Sequence, residues 1–131
     1  MAFFAVAIVI LLDQISKAGL ATSCNKGIAF GLWQNAGSLN IIFPVFIIAI
    51  CLYFLVTQKK KILSFSLALI VGGGISNLID RLTVGCVGDF IDLGVWPSFN
   101  LADSAVTIGV LILILAILTK PEAKNSNDSN H

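Results

Sequence analysis

Two carboxylates, Asp89 in VGDF and Asp103 in FNLAD, stand where chemistry can be done. Asp89 lies in TVGCVGDFIDLGVWPSF, whose alternation suggests a short strand. On such a strand Asp89 shares a face with Val87 and Ile91, while Phe90 and Asp92 take the other, so Asp89 and Asp92 are not expected to act together. The LGVWPS between the two motifs holds turn residues that can fold the chain back and bring Asp89 towards Asp103. Two carboxylates sharing a site do not ionise together easily, and one keeps a proton near neutral pH. One member can then activate water while the other protonates an oxygen. Asn100 and Asp103 also have a purely structural reading, as the cap and third position of a helix.

Two further polar clusters accompany the pair. In DQISK, Asp13 and Lys17 are four apart and share a helix face. They read either as an ion pair with Lys17 snorkelling outward, or as support in which Asp13 orders an active site. In SNLIDR, Asn77 lies three residues before Asp80 and four before Arg81, so it can face either. This cluster is either a helix end with Arg81 neutralising Asp80, or a shell that orients the aspartates and meets substrate.

These residues must be held by elements that belong in a membrane. Of the 131 residues, 57% are hydrophobic and only 11% charged, against about 25% charged in a soluble domain. Spans of about 20 apolar residues are needed to cross ~30 Å of hydrocarbon. Four segments qualify, approximately 2–20, 40–57, 63–82 and 102–119. They read as helices, because the backbone must satisfy itself in lipid and no barrel alternation is present. The fold class is an all-α integral membrane protein, four transmembrane helices with a small β-like extracytoplasmic platform.

Lys59, Lys60 and Lys61 follow the second span, and Lys120 and Lys124 follow the fourth. By the positive-inside rule both regions face the cytoplasm, both termini are inside, and 21–39 and 83–101 are outside. Asp13, Asp80, Asp89, Asp92 and Asp103 then gather at the outer end, which a four-helix bundle does not require for folding. A transporter lining an ion path would spread its charges in depth. A net charge of +1 offers no field for nucleic acid, and motifs for zinc, phosphate-loop or dinucleotide binding are absent.

The chain reads as one membrane domain, 1–119, followed by a disordered polar tail, 120–131. The segment TSCNKGIAFGLWQNAGSLN is too long for a tight turn and suggests short strands or a platform, with Phe30 and Trp33 at headgroup level. A bridge between Cys24 and Cys86 is conceivable on the outer side, but three cysteines make no framework, and Cys51 reads as packing. LATSC vaguely resembles a lipoprotein cleavage box. However, no basic residue precedes the apolar run, and Asp13 and Lys17 interrupt it, so the first span is retained.

In this order, DQISK, NKGIAF, SNLIDR, VGDFIDL and FNLADSAV resemble the bacterial lipoprotein signal peptidases, over roughly residues 8 to 110. The resemblance implies an aspartic endopeptidase of the bacterial cytoplasmic (inner) membrane that cuts prolipoproteins just before a diacylglyceryl-modified cysteine. Asp89 and Asp103 match the family's catalytic pair. Asp13, Lys17, Asn25, Asn77, Asp80, Arg81 and Asn100 take supporting or substrate-contacting places, and NKGIAF shapes the substrate groove. The resemblance also implies no metal or other cofactor, membrane lipid as a partner, a monomer, and inhibition by globomycin-type peptides. Gly88 stands where a β-branched residue is common, and Ser76 where Gly is usual. These departures bear on fine specificity rather than on the chemistry.

Overall fold

A computed structural model describes residues 1–27 and 37–119. Phe30 and Trp33, the second half of NKGIAF, and the tail with Lys120 and Lys124 lie outside the described residues. Helices α1 (Ala2–Leu20), α2 (Leu39–Thr57), α3 (Lys61–Thr83) and α4 (Leu101–Leu118) start and end within two residues of the apolar spans. They hold 18 to 23 residues each, or ~27 to ~35 Å of helix. All four are long and apolar enough to cross a membrane. Strands β1 (Ser23–Asn25) and β2 (Val87–Asp89) pair antiparallel at one end of the bundle, with Ser23 opposite Asp89 and Asn25 opposite Val87.

Helix α3 is the centre of the bundle and packs against the other three. Its consecutive glycines let it do so. A Cβ on Gly73 would come 2.4 Å from the Ala102 carbonyl oxygen, and one on Gly109 would come 2.7 Å from that of Ser66. Helices α3 and α4 therefore meet backbone to backbone, which seats the first turn of α4 against α3. Gly72 makes the matching approach to Val9 of α1. Val6, Leu55, Leu67, Ala68 and Val71 form the apolar core between α1, α2 and α3. Phe4, Leu11, Phe46, Tyr53, Leu111 and Leu118 point outwards and are exposed. An outer surface so rich in large apolar groups suits hydrocarbon, not water.

The end of α3 is turned by Gly85, whose φ of +84° lies in the left-handed region. Its N–H reaches the Asp80 carbonyl at 3.1 Å, and the chain passes from there into β2. Beyond β2, Ile91 and Phe99 form an antiparallel bridge, so the chain does fold back between Asp89 and α4. Cys24 and Cys86 are joined by a disulfide with a Cα–Cα distance of 5.5 Å, tying β1 to the residue before β2. Cys51 is free, half-buried, and packs against the apolar core.

Candidate active site

The polar groups of α1 and α3 share one spacing. Asp13, Gln14 and Lys17 repeat the intervals of Ser76, Asn77 and Asp80, so the two helices face each other with matching stripes. Lys17 is buried and does not snorkel outward. Its ammonium meets Asp13 Oδ2 at 2.6 Å, Asp80 Oδ2 at 2.7 Å and Asn77 Oδ1 at 2.9 Å. An ammonium has three donors, and all three are used. The cation on Asp80 is thus Lys17. Arg81 donates instead to the backbone oxygens of Gly27, at 3.0 Å, and Asn77, at 3.4 Å.

Each supporting carboxylate grips the backbone next to one member of the pair. Asp13 Oδ1 accepts the Ala102 N–H at 2.8 Å, one residue before Asp103. Asp80 Oδ2 accepts the Gly88 N–H at 3.2 Å, one residue before Asp89. Two asparagines then join the pair directly. Asn77 Nδ2 donates to Asp103 Oδ1 at 2.8 Å, and Asn100 Nδ2 donates to Asp89 Oδ1 at 2.9 Å and to Asn77 Oδ1 at 3.1 Å.

Asn100 also caps α4. Its Oδ1 accepts the Asp103 N–H at 2.8 Å, while Asp103 Oδ2 accepts the Asn100 N–H at 3.2 Å. This reciprocal box fixes the first turn. The structural reading of Asn100 and Asp103 therefore holds together with the chemical one, since the capping residues themselves carry the pair.

Asp89 is closed off, at 1% exposure. Its Oδ2 has no hydrogen-bond partner among the described residues. Burial, and then the nearby Asp103 carboxylate, push its pKa up to about 6, against the pull of Asn25, Asn100 and Lys17. The Asn25 Oδ1 accepts the Gly27 N–H at 2.8 Å. Asp92 is exposed and caps its own turn through Gly94, 2.8 Å away, and takes no part.

From Asp103 a groove of about 460 Å³ runs between α2, α3 and α4, with Asn77 and Arg81 at its polar end. Phe43, Ile47, Val106, Val110 and Leu111 give it apolar walls. Two aspartates joined through Asn77 and Asn100, beside an apolar trough, can do acid–base chemistry on an extended apolar ligand.

The site holds two members that sequence reasoning passed over. Gln14 was visible only as a polar residue within a span, and Ser76 only as a departure from a family pattern. The repeated spacing of the two stripes was the signal. It becomes readable once α1 and α3 are known to be neighbours.

Four apolar helices with a carboxylate pair at one end define a multi-pass membrane protein equipped for acid–base work beside lipid. Two solved structures described as bacterial membrane enzymes share this fold. One superposes with a TM-score of 0.86 at 25% identity, over 98% of this chain and 94% of that one. The other gives 0.79 at 26% identity, over 91% and 93%. The family described as signal peptidase (SPase) II matches residues 5–119. The lipoprotein signal peptidase of Pelotomaculum thermopropionicum is 35% identical over 96% of this chain and 97% of its own length. That of Anaplasma phagocytophilum is 38% identical over 91% and 92%, and that of Syntrophomonas wolfei 39% over 91% and 95%. The chain belongs to the signal peptidase II family, membrane aspartic peptidases that remove signal peptides from prolipoproteins.

Proposed function

We propose that Asp89 and Asp103 are the catalytic pair of this peptidase, acting on the bond before a diacylglyceryl-modified cysteine. The observation that carries this reading is the bridge of Asn77 and Asn100, which couples the two carboxylates. With Asp89 pushed up to about 6, the pair keeps a proton to higher pH than ordinary carboxylates do, in a share of molecules that grows as pH falls towards 6. Its titration belongs to the pair rather than to either residue. The ionised member takes a proton from water, and that water attacks the scissile carbonyl carbon. The protonated member donates to the carbonyl oxygen as the tetrahedral intermediate forms. The apolar groove receives the signal helix, and the acyl chains of the substrate stay in the surrounding lipid.

The lysine-rich end, Lys59 to Lys61, faces the cytoplasm, so both termini are inside and the pair works at the outer face of the bacterial inner membrane. That is where a lipid-anchored scissile bond and water can meet. The enzyme acts as a monomer, in contact with membrane lipid, and globomycin-type peptides block it by occupying the groove.

The test is cleavage of a diacylglyceryl-modified precursor by purified protein in detergent. Asp89→Asn and Asp103→Asn should each lower kcat by more than about a hundredfold, while chelator leaves the wild type unaffected. Retention of activity in either folded variant would remove that residue from the catalytic pair.

A further inference from the structure

We propose that Gln14 and Ser76 form a neutral relay that positions the aspartate pair, and that they act on turnover without touching substrate. This rests on Asp89 and Asp103 being the catalytic pair. Ser76 is fully buried, and its Oγ lies 2.7 Å from Asp13 Oδ2 and 3.0 Å from Gln14 Nε2. The same Nε2 lies 2.7 Å from Asp80 Oδ1 and 3.2 Å from the Ser76 carbonyl oxygen. Both of those oxygens only accept, which fixes the amide nitrogen on that side. One Gln14 proton goes to Asp80, the other is shared between the Ser76 hydroxyl and carbonyl oxygens, and the hydroxyl gives its own single proton to Asp13.

Asp13 and Asp80 are thus joined twice, once through the Lys17 ammonium and once through Ser76 and Gln14. The two links do different work. Lys17 is a point charge that holds one oxygen of each carboxylate and leaves its plane free to turn. The relay removes that freedom at Asp80, whose Oδ1 is held by Gln14, and adds a second donor to the Asp13 Oδ2 that Lys17 holds. Asp80 then has Oδ2 on Lys17 and the Gly88 N–H, and Oδ1 on Gln14. Asp13 has Oδ1 on the Ala102 N–H, and Oδ2 on Lys17 and Ser76. Fixing both planes fixes the Gly88 and Ala102 amides, and so the spacing of the aspartates that follow them. Gln14 and Ser76 are positioning residues. Reaction geometry is sensitive to such small displacements, so their loss is expressed in kcat, whereas substrate binding along the groove is left intact.

The experiment compares full-length wild type with Ser76→Ala, Gln14→Met and the double variant, each normalised to folded protein. Substrate is the lipidated precursor, and kcat, KM and the pH dependence of kcat are measured. Each single variant should lose about tenfold in kcat with KM within twofold, and the acid limb of its pH profile should move. The double should lose no more than the worse single, because both break one relay. Wild-type kcat in both singles, or losses that multiply to about a hundredfold in the double, would overturn the relay. Gln14 is only half-buried, so Gln14→Met decides alone if Ser76→Ala does not fold. Asp89→Asn and Asp103→Asn run alongside. Activity surviving there removes the catalytic pair itself; activity lost there with normal rates in the Gln14 and Ser76 variants removes only the relay.

Discussion

Asp103 and Asp89 carry the same functional group on supports of opposite construction. Asp103 sits in the first turn of α4, a helix that meets α3 backbone to backbone at Gly73 and Gly109 and is closed by the Asn100 box. Its position is a by-product of bundle packing. Asp89 ends a three-residue strand paired with another three-residue strand, and a ribbon of two short strands is marginal alone. It is held by separate ties: the Cys24–Cys86 bridge, the Asp80 carboxylate on Gly88, and the Thr22 N–H on the Asp89 carbonyl at 3.0 Å. Disturbance of the helix side should therefore appear first as lost stability, and disturbance of the strand side first as lost turnover.

The largest effect should come where the two supports meet, at Lys17. Lys17→Met leaves the buried Asp13 and Asp80 carboxylates facing each other without a cation. Breaking a buried pair by removing one partner costs about 3–5 kcal/mol. Here a single loss undoes both the Ala102 and the Gly88 anchors. The expected outcome is little folded protein and no cleavage, measured by thermal unfolding in detergent and by precursor processing. A Lys17→Met protein as stable as wild type would show that the two sides do not share this anchor.

A smaller effect, confined to the strand side, is expected from the disulfide. The Cys24→Ser, Cys86→Ser double variant removes the covalent tie and leaves β1 on β2 by backbone pairing alone, with every contact among the four helices kept. In lipid the spans stay helical even when they separate, so most of the loop-closure stabilisation a disulfide gives a soluble chain does not apply. Turnover should fall about tenfold while the thermal midpoint moves by only a few degrees. Reductant should do the same to the wild type and nothing further to the variant. Equal losses of stability and turnover would erase the distinction between the two supports.

The same contrast governs what could be read in the sequence. The four spans were legible because hydrocarbon thickness dictates their length and composition. The first turn of α4 was legible because FNLAD carries its own cap. The fold-back before it was written in the turn residues of LGVWPS. Strand β1 was legible only as one of the short strands suggested for TSCNKGIAFGLWQNAGSLN: SCN is three residues without alternation to place it, and Cys24 and β2 hold it there. DQISK admitted both a snorkelling ion pair and an Asp13 that orders a site, and only the facing stripe of α3, with a third acceptor on Asn77, shows Lys17 to be buried. The Gly88 and Ala102 anchors lay beyond any side-chain motif, since both are backbone N–H groups.

The smallest predicted effect concerns the proton on Asp89. Its folded pKa, about 6 against an ordinary 3.8, is raised. Between those values the folded state holds more proton than the unfolded one, so the stability this group gives at low pH is lost as pH rises through 6. Above that the ionised carboxyl is a burden on the fold, on the order of 1–2 kcal/mol once solvent screening is allowed for. Asp89→Asn removes the titration. The variant should unfold at a higher temperature than wild type at pH 8, and the gap should close towards pH 4. Asp103→Asn offers the matching comparison on the helix side. There the substitution also weakens the acceptor that closes the Asn100 box, worth about 1 kcal/mol, so any gain at pH 8 should be smaller or reversed. Equal gains at both positions would mean that the two supports differ in geometry but not in how tightly they hold the charge.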